Sequence, residues 1–231
     1  MIPTPIVPDL DVDHVYEPAE DTFLFLDLFE QLHNDGYFKK RPSNSHHHIR
    51  SPLVVELGSG SGVISTLISS NEIIPSAIHL AVDINQIALK TTLSTHAHNN
   101  PSKLPFDVVR CDLTTALRPN QIDVMIFNPP YVPSEEIPPI PDSNDDENSA
   151  WIDLALVGGD DGMLITRKVL DSLDTILAVG GEAYILFCAR NKHKDVTEQF
   201  AENWKNFSVS VVIERKCGWE ELAIYRFTKT F

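Results

Sequence analysis

Leu53-Val54-Val55-Glu56-Leu57-Gly58-Ser59-Gly60-Ser61-Gly62 decides the fold. The first five residues read as a short buried strand, and glycines at alternate positions let the backbone turn sharply and approach a ligand closely. Val63 to Ser70 then reads as a helix. Ala77 to Val82 is a second buried strand ending at Asp83, followed by a helix from Gln86 to about His96. Phe106 to Arg110 and Ile122 to Phe127 are the third and fourth strands, running into Cys111-Asp112 and Asn128-Pro129-Pro130-Tyr131. A helix from about Met163 to Leu177, a strand at 182–188, a helix near 192–204 and strands at about 208–215 and 221–227 follow. Strands alternating with helices imply parallel pairing with right-handed crossovers, hence a doubly wound α/β sheet of seven mostly parallel strands. The last two strands, joined through Lys216-Cys217-Gly218-Trp219, form an antiparallel hairpin at one edge.

Working outward, residues 1–35 read as an extended, proline-containing lead and a helix. Phe23, Leu24, Leu26, Leu28 and Leu32, with Asp27 among them, leave that helix a broad apolar face, and Asp21-Thr22 stand near its start. Residues 36–51 form a polar surface loop. Its His46-His47-His48 run is solvated, because adjacent histidines point in different directions and no partner ligand is near. The stretch 132–150, rich in Pro, Asp, Glu, Asn and Ser, reads as a mobile loop whose Asp145-Asp146-Glu147 piece is a solubilising surface. No repeat or long linker divides the chain, so 1–231 is expected to be one domain with 52–231 as its core.

Composition closes off several functions. The chain has 231 residues, 42% hydrophobic and 22% charged, which argues against wholesale disorder. Its apolar runs are too short to span a bilayer, and Met-Ile-Pro-Thr-Pro has neither the basic nor the apolar region of a secretory signal. Cys111, Cys188 and Cys217 lie far apart, which fits a reducing cytoplasmic or nuclear compartment rather than a disulfide framework. Eighteen basic residues against 33 acidic ones give a formal net charge of −15. Counterion release from a phosphate backbone needs clustered Lys and Arg, so neither nucleic acid nor membrane is expected as a direct partner.

In an open α/β sheet, ligands bind beyond the carboxyl ends of the strands. The glycine turn lacks the spacing of a dinucleotide fold and the Gly-Lys-Ser/Thr of a phosphate loop. Glu56 ahead of it would repel a pyrophosphate and suit a cation such as a sulfonium or ammonium; a plain tight turn is the alternative. Asp83 can accept from both ribose hydroxyls, and Asp112 from an exocyclic amine such as adenine N6. Either aspartate alone also reads as a helix cap or turn residue. Together they describe an adenosine pocket without a phosphate site, which favours S-adenosyl-L-methionine over NAD or ATP. Asn128-Pro129-Pro130-Tyr131 is the sharpest signal. Its two prolines fix φ and remove two amide donors, so the turn presents acceptors. The Asn128 side-chain carbonyl and the Pro129 main-chain carbonyl can grip both hydrogens of a planar NH2 group, with Tyr131 offering a flat face. No metal ligands are expected in the chain.

Glu-x-Gly-x-Gly-x-Gly, the strand-two acid, Cys-Asp and Asn-Pro-Pro-Tyr, in this order, resemble the Rossmann-like class I S-adenosylmethionine-dependent methyltransferases that modify planar nitrogen. These include DNA adenine-N6 enzymes and HemK-type protein glutamine N5 methyltransferases. Val15-Tyr16-Glu17-Pro18-Ala19-Glu20-Asp21-Thr22-Phe23 resembles the start of the eukaryotic and archaeal HemK branch. The resemblance covers 15–227 and implies N5-methylation of the glutamine in the Gly-Gly-Gln loop of a class 1 translation release factor, with S-adenosyl-L-homocysteine as product. It assigns Thr22 to the methionine carboxylate and Glu56, Gly58 and Gly60 to the methionyl and ribose region. Asp83 falls to the ribose hydroxyls, Asp112 and the Leu113 backbone to adenine, and Asn128 to Tyr131 to the substrate amide, with Asn128 also bordering the cofactor. It further implies a small zinc-binding activator subunit on edge strand three (Phe106 to Arg110), the zinc belonging to that partner. Whether the factor's GTPase companion takes part stays open. Two alternatives remain: methylation of adenine N6 or another amine, in DNA, RNA or a protein lysine, and a catalytically silent binding subunit.

Overall fold

Val54 and Val55 are both buried, as are Val124 and Met125. Because successive side chains leave a strand on opposite faces, strands of this kind need cover on both. The computed structural model, which describes residues 1–40, 51–99, 103–141 and 150–231, shows that cover. The strands are β1 (Leu53–Leu57), β2 (Ile78–Asp83), β3 (Phe106–Arg110), β4 (Ile122–Phe127), β5 (Val132–Pro133), β6 (Val157–Gly159), β7 (Leu177–Cys188), β8 (Phe207–Cys217) and β9 (Glu220–Lys229). The helices are α1 (Glu20–Asn34), α2 (Tyr37–Lys40), α3 (Val63–Ser70), α4 (Gln86–His98), α5 (Ala150–Leu156), α6 (Leu164–Ile176) and α7 (His193–Asn203).

Seven strands form one sheet in the order β3-β2-β1-β4-β7-β9-β8. The first five run parallel, and β9 enters antiparallel between β7 and β8. This is the expected doubly wound sheet with an antiparallel C-terminal hairpin, and β3 lies at its edge as expected. On one face Val54, Val124 and Ile126 pack with Leu24, Phe25, Leu28 and Phe29 of α1 and with α3. On the other, Val55, Leu57, Met125 and Phe127 pack with α6 and with Phe200 of α7.

Three expectations are corrected. The inward face of α1 is Leu24, Phe25, Leu26, Leu28 and Phe29, which keeps the expected Leu24, Leu26 and Leu28; Phe23 is 37% exposed and Asp27 lies outside, paired with Arg215 of β8. The expected face included Phe23 and missed the buried Phe25 and Phe29. Residues 37–40 form the helical turn α2, tied to the sheet by Tyr37, whose hydroxyl donates to buried Glu182 at 2.7 Å; His46-His47-His48 lie outside the described residues. The stretch 132–150 is not all loop: β5 pairs in parallel with β6, and α5 begins at Ala150. Asp145-Asp146-Glu147 also lie outside the described residues.

Gly62 caps α3 with φ +77°, and a Cβ there would lie 2.7 Å from the Thr92 Cα of α4. Gly60 has φ +51°, but a Cβ on it would meet nothing within 4 Å. Gly62→Ala should therefore combine strain with a backbone clash and cost clearly more than about 1 kcal/mol. Gly60→Ala carries strain alone. Urea unfolding of the two variants should rank Gly62→Ala as the more destabilised; equal midpoints would refute this account of α3 docking.

Candidate active site

Parallel register sets the site. Leu57 pairs with Val82 on one side and Phe127 on the other, so Gly58, Asp83 and Asn128 follow at one level of the sheet. Asp83 pairs with Arg110, which puts Cys111 and Asp112 one step beyond. A cleft of about 290 Å3 opens above these ends, near the lower end of the ~300–1,000 Å3 typical of small-ligand sites. Thr22, Glu56, Gly58, Gly60, Asp83, Asp112, Leu113 and Asn128 to Tyr131 all line it, so every residue singled out from sequence falls in one place.

The glycine turn is pinned from below. Asp83 accepts from Gly60 N and Asn85 N, both at 2.9 Å, so its carboxylate shapes the turn as well as facing the cleft. Asn85 caps α4 by accepting from Ile87 N at 2.8 Å and donates to the His14 carbonyl, which draws the N-terminal lead over the site. Glu56 is 3% exposed, and one of its oxygens accepts from both the amide (3.0 Å) and the hydroxyl of Ser65. Burial pushes the Glu56 carboxyl up to about 8, opposed by the Ser65 bonds and aided by Asp83. Burial likewise raises the Asp83 carboxyl, against its backbone donors. Asp112 is exposed at the mouth, its carbonyl capping a turn, and Leu113 follows with φ +48°.

The proline turn is held from three directions. The Asn128 amide nitrogen donates to Asp21 Oδ2 at 3.1 Å. Asp21, 4% exposed, also accepts from Thr22 N at 2.6 Å and from the Tyr16 hydroxyl at 3.3 Å. A carboxylate only accepts, so this contact fixes which way the Asn128 amide faces. Its Oδ1 is buried with no hydrogen-bond partner among the described residues. Further along, the Tyr131 carbonyl accepts from Asn191 Nδ2 at 3.0 Å, and a Cβ on Gly158 would sit 2.5 Å from the Pro130 carbonyl. The Tyr131 hydroxyl lies 3.5 Å from Glu220 Oε2. Burial first, then the Asp21 and Glu220 carboxylates, push the Tyr16 and Tyr131 phenols above the ordinary value, so both stay neutral.

Sequence reading missed Asp21, Tyr16, Ser65, Asn191 and the glycines of β6. Gly158-Gly159-Asp160-Asp161-Gly162 was the available signal: closely spaced glycines with acids mark close backbone approach. Asp21 was seen only as a helix-start residue, although the contact it makes is 107 residues away. Ile137 and Ile140, from the stretch read as loop, and Trp151 and Leu154 of α5 add an apolar wall.

The lining suits a cation and an adenosine together. Asp21, Glu56, Asp83 and Asp112 supply four carboxylates, against Lys168 as the one Lys or Arg among the lining residues. Gly60 leaves open space where a ligand can approach. Fold and cleft together define a class I S-adenosylmethionine-dependent methyltransferase. Residues 44–138 match the family model for the methyltransferase small domain. The chain is 33% identical over 237 residues to the eRF1 methyltransferase catalytic subunit mtq2 of Schizosaccharomyces pombe, covering 98% of this chain and 95% of that one. It is 30% identical over 221 residues to methyltransferase HEMK2 of Homo sapiens, covering 94% and 90%. Among solved structures it resembles the E. cuniculi Mtq2-Trm112 complex, responsible for methylating the eRF1 termination factor, with a TM-score of 0.61, 22% identity and coverage of 94% and 99%. The chain belongs to the HemK-type methyltransferase family that includes Mtq2 and HEMK2.

Glu56 makes the pH behaviour of the ligand-free protein testable. Its folded carboxyl titrates near 8 against an ordinary 4.5, so between those values the folded state holds a proton that the unfolded state has released. Its contribution to stability is therefore full below about 4.5 and is lost as pH rises towards 8. Thermal melts from pH 5 to 8.5 should show Glu56→Gln with a flatter pH slope than wild type. Parallel slopes would remove Glu56 as the cause.

Proposed function

We propose that this chain is the catalytic subunit of a protein glutamine N5-methyltransferase acting on the Gly-Gly-Gln loop of a class 1 translation release factor. The observation that carries the reading is Asn128: its amide nitrogen is anchored on Asp21 while its Oδ1 stays buried and unpartnered. A buried acceptor without a donor costs about 1–3 kcal/mol, which an incoming NH2 group relieves. The names of the relatives, which include N5-glutamine and release factor glutamine methyltransferases, point the same way.

S-adenosyl-L-methionine supplies, when bound, a methyl group made electrophilic by its sulfonium. Thr22, Glu56, Gly58 and Gly60 would hold its methionyl and ribose parts, with Asp83 at the ribose hydroxyls and Asp112 and the Leu113 backbone at adenine. Asn128 Oδ1 and the Pro129 carbonyl accept the two amide hydrogens and aim the nitrogen lone pair at the cleft. An amide nitrogen is a poor nucleophile, so the residues' task is positioning, worth about 7–11 kcal/mol at best. The fixed carbonyl dipoles also favour the positive charge that develops on nitrogen. Tyr131, kept neutral, packs against the amide plane. No strong base is required, since the extra proton on the methylated nitrogen would pass to solvent water after transfer.

The acidic surface supports a protein substrate over duplex DNA, whose bases must be flipped by enzymes with a basic contact face. Among the described residues β3 pairs with β2 alone, and it presents an edge suited to strand addition by a small zinc-binding activator. The partner named in the E. cuniculi complex supports a small activator subunit. The cytoplasm is the proposed site of action.

Asn128→Ala should abolish methyl transfer while leaving cofactor affinity by calorimetry nearly unchanged. Mass spectrometry of the release-factor loop peptide reads the product, and turnover near the wild-type rate would overturn the assignment. Asp21→Ala, which frees the Asn128 amide to rotate, should cut kcat by about 10²-fold. Asp21→Asn keeps one acceptor oxygen and should recover part of the loss. Equal kcat in the two variants would deny Asp21 its positioning role.

A further inference from the structure

β8 and β9 turn through just two residues, Gly218 and Trp219. Gly218 has φ +58°, and a Cβ on it would touch nothing within 4 Å, so the tip stands clear of the body. Trp219 is 93% exposed there, the most exposed large apolar side chain among the described residues after the terminal Met1. A tryptophan left in water at a rigid turn is unusual, and this residue type dominates binding anchors.

The tip adjoins the active site on two counts. Glu220, next in sequence, reaches within 3.5 Å of the Tyr131 hydroxyl. Cys217, two residues back, donates to Glu20 Oε2 at 3.4 Å, and Glu20 precedes the Asp21 that anchors Asn128. The surroundings are acidic. Glu20, Asp27, Glu220 and Glu221 face Arg215 and Lys216, which are already paired, Arg215 with Asp27 and Glu20 and Lys216 with Glu221 at 3.0 Å. With Glu214 and Lys194, which lie beside Arg215, Lys216 and Glu221, five carboxylates against three cations leave a local charge of −2. The tip lies at the opposite edge of the sheet from β3, so an activator on β3 leaves it free.

We propose that the Gly218-Trp219 tip and its acidic rim form a docking surface for a basic, apolar patch of the protein substrate outside the methylated loop. This rests on the glutamine-methyltransferase reading. Trp219 inserts into an apolar depression on the substrate body, and the rim steers its positive charge, while Asn128 receives the side chain. The anchor therefore acts on capture of the whole protein and not on the transfer step.

The test uses the full chain with its activator and two substrates: the intact release factor and a short peptide spanning the Gly-Gly-Gln loop. Trp219→Ala should raise KM for the intact factor about tenfold or more, with kcat retained and peptide kinetics unchanged. Trp219→Phe should restore most of the loss, and added salt should raise KM for the factor more than for the peptide. An unaltered KM for the intact factor in Trp219→Ala, or an equal loss on both substrates, overturns the proposal. So does a wild-type dimer in sedimentation that Trp219→Ala dissolves without touching KM, since the tip would then serve a second copy. A wild-type enzyme that labels neither substrate overturns the glutamine reading itself, and the docking claim falls with it.

Discussion

One carboxylate and one carboxamide, 107 residues apart in sequence, fix the chemistry of this cleft. Asp21 can only accept, so Asn128 must turn its nitrogen towards it and its oxygen away. The two residues that follow Asn128 are prolines, which carry no N–H that could turn back to satisfy that oxygen. An acceptor is thus kept buried and unused at a cost the rest of the fold carries. Asp21 is itself held by its neighbour Thr22 N in the first turn of α1 and by the Tyr16 hydroxyl of the N-terminal lead. The placement of α1 on the sheet is therefore a condition of the active site and not merely of the core.

The electrostatics follow the same logic. Three of the carboxylates that line the cleft are nearly fully buried, and burial raises Glu56 and Asp83. Hydrogen bonds from Ser65, Gly60 and Asn85 compensate in part, but they are neutral donors. A ligand bearing positive charge supplies what the protein withholds. Such a ligand gains more from Glu56 and Asp83 than a neutral analogue would, because the interaction is made away from water.

The strand and helix order was legible because apolar periodicity and glycine or proline punctuation are local. Gly58, Asp83, Asp112 and Asn128 could be gathered without a structure, since parallel topology brings all strand ends to one edge. What sequence did not disclose is held by long-range contacts. Asp21 looks like any acid in a first helical turn until Asn128 is beside it. Asn191 joins the Tyr131 and Asp161 carbonyls across more than twenty-five residues and has no pattern of its own. The β5–β6 pair escaped because two- and three-residue strands are shorter than any alternation can reveal, and proline composition suggested a loop instead.

Substrate size is decided away from the reacting atoms. The acceptors in the cleft recognise an NH2 group that glutamine shares with adenine, so they cannot by themselves separate a protein from a nucleic acid. On the proposed reading charge makes that separation: a formal −15 overall disfavours a polyanion over distances set by the Debye length, about 8–10 Å at physiological salt. A folded protein with a basic face meets the opposite field and is drawn to the same mouth. On that reading selectivity is divided between a cleft that takes a flat NH2 group and an exterior that favours carriers of the right sign. That division explains why a chain with so little basic surface can retain a pocket so well suited to an amine.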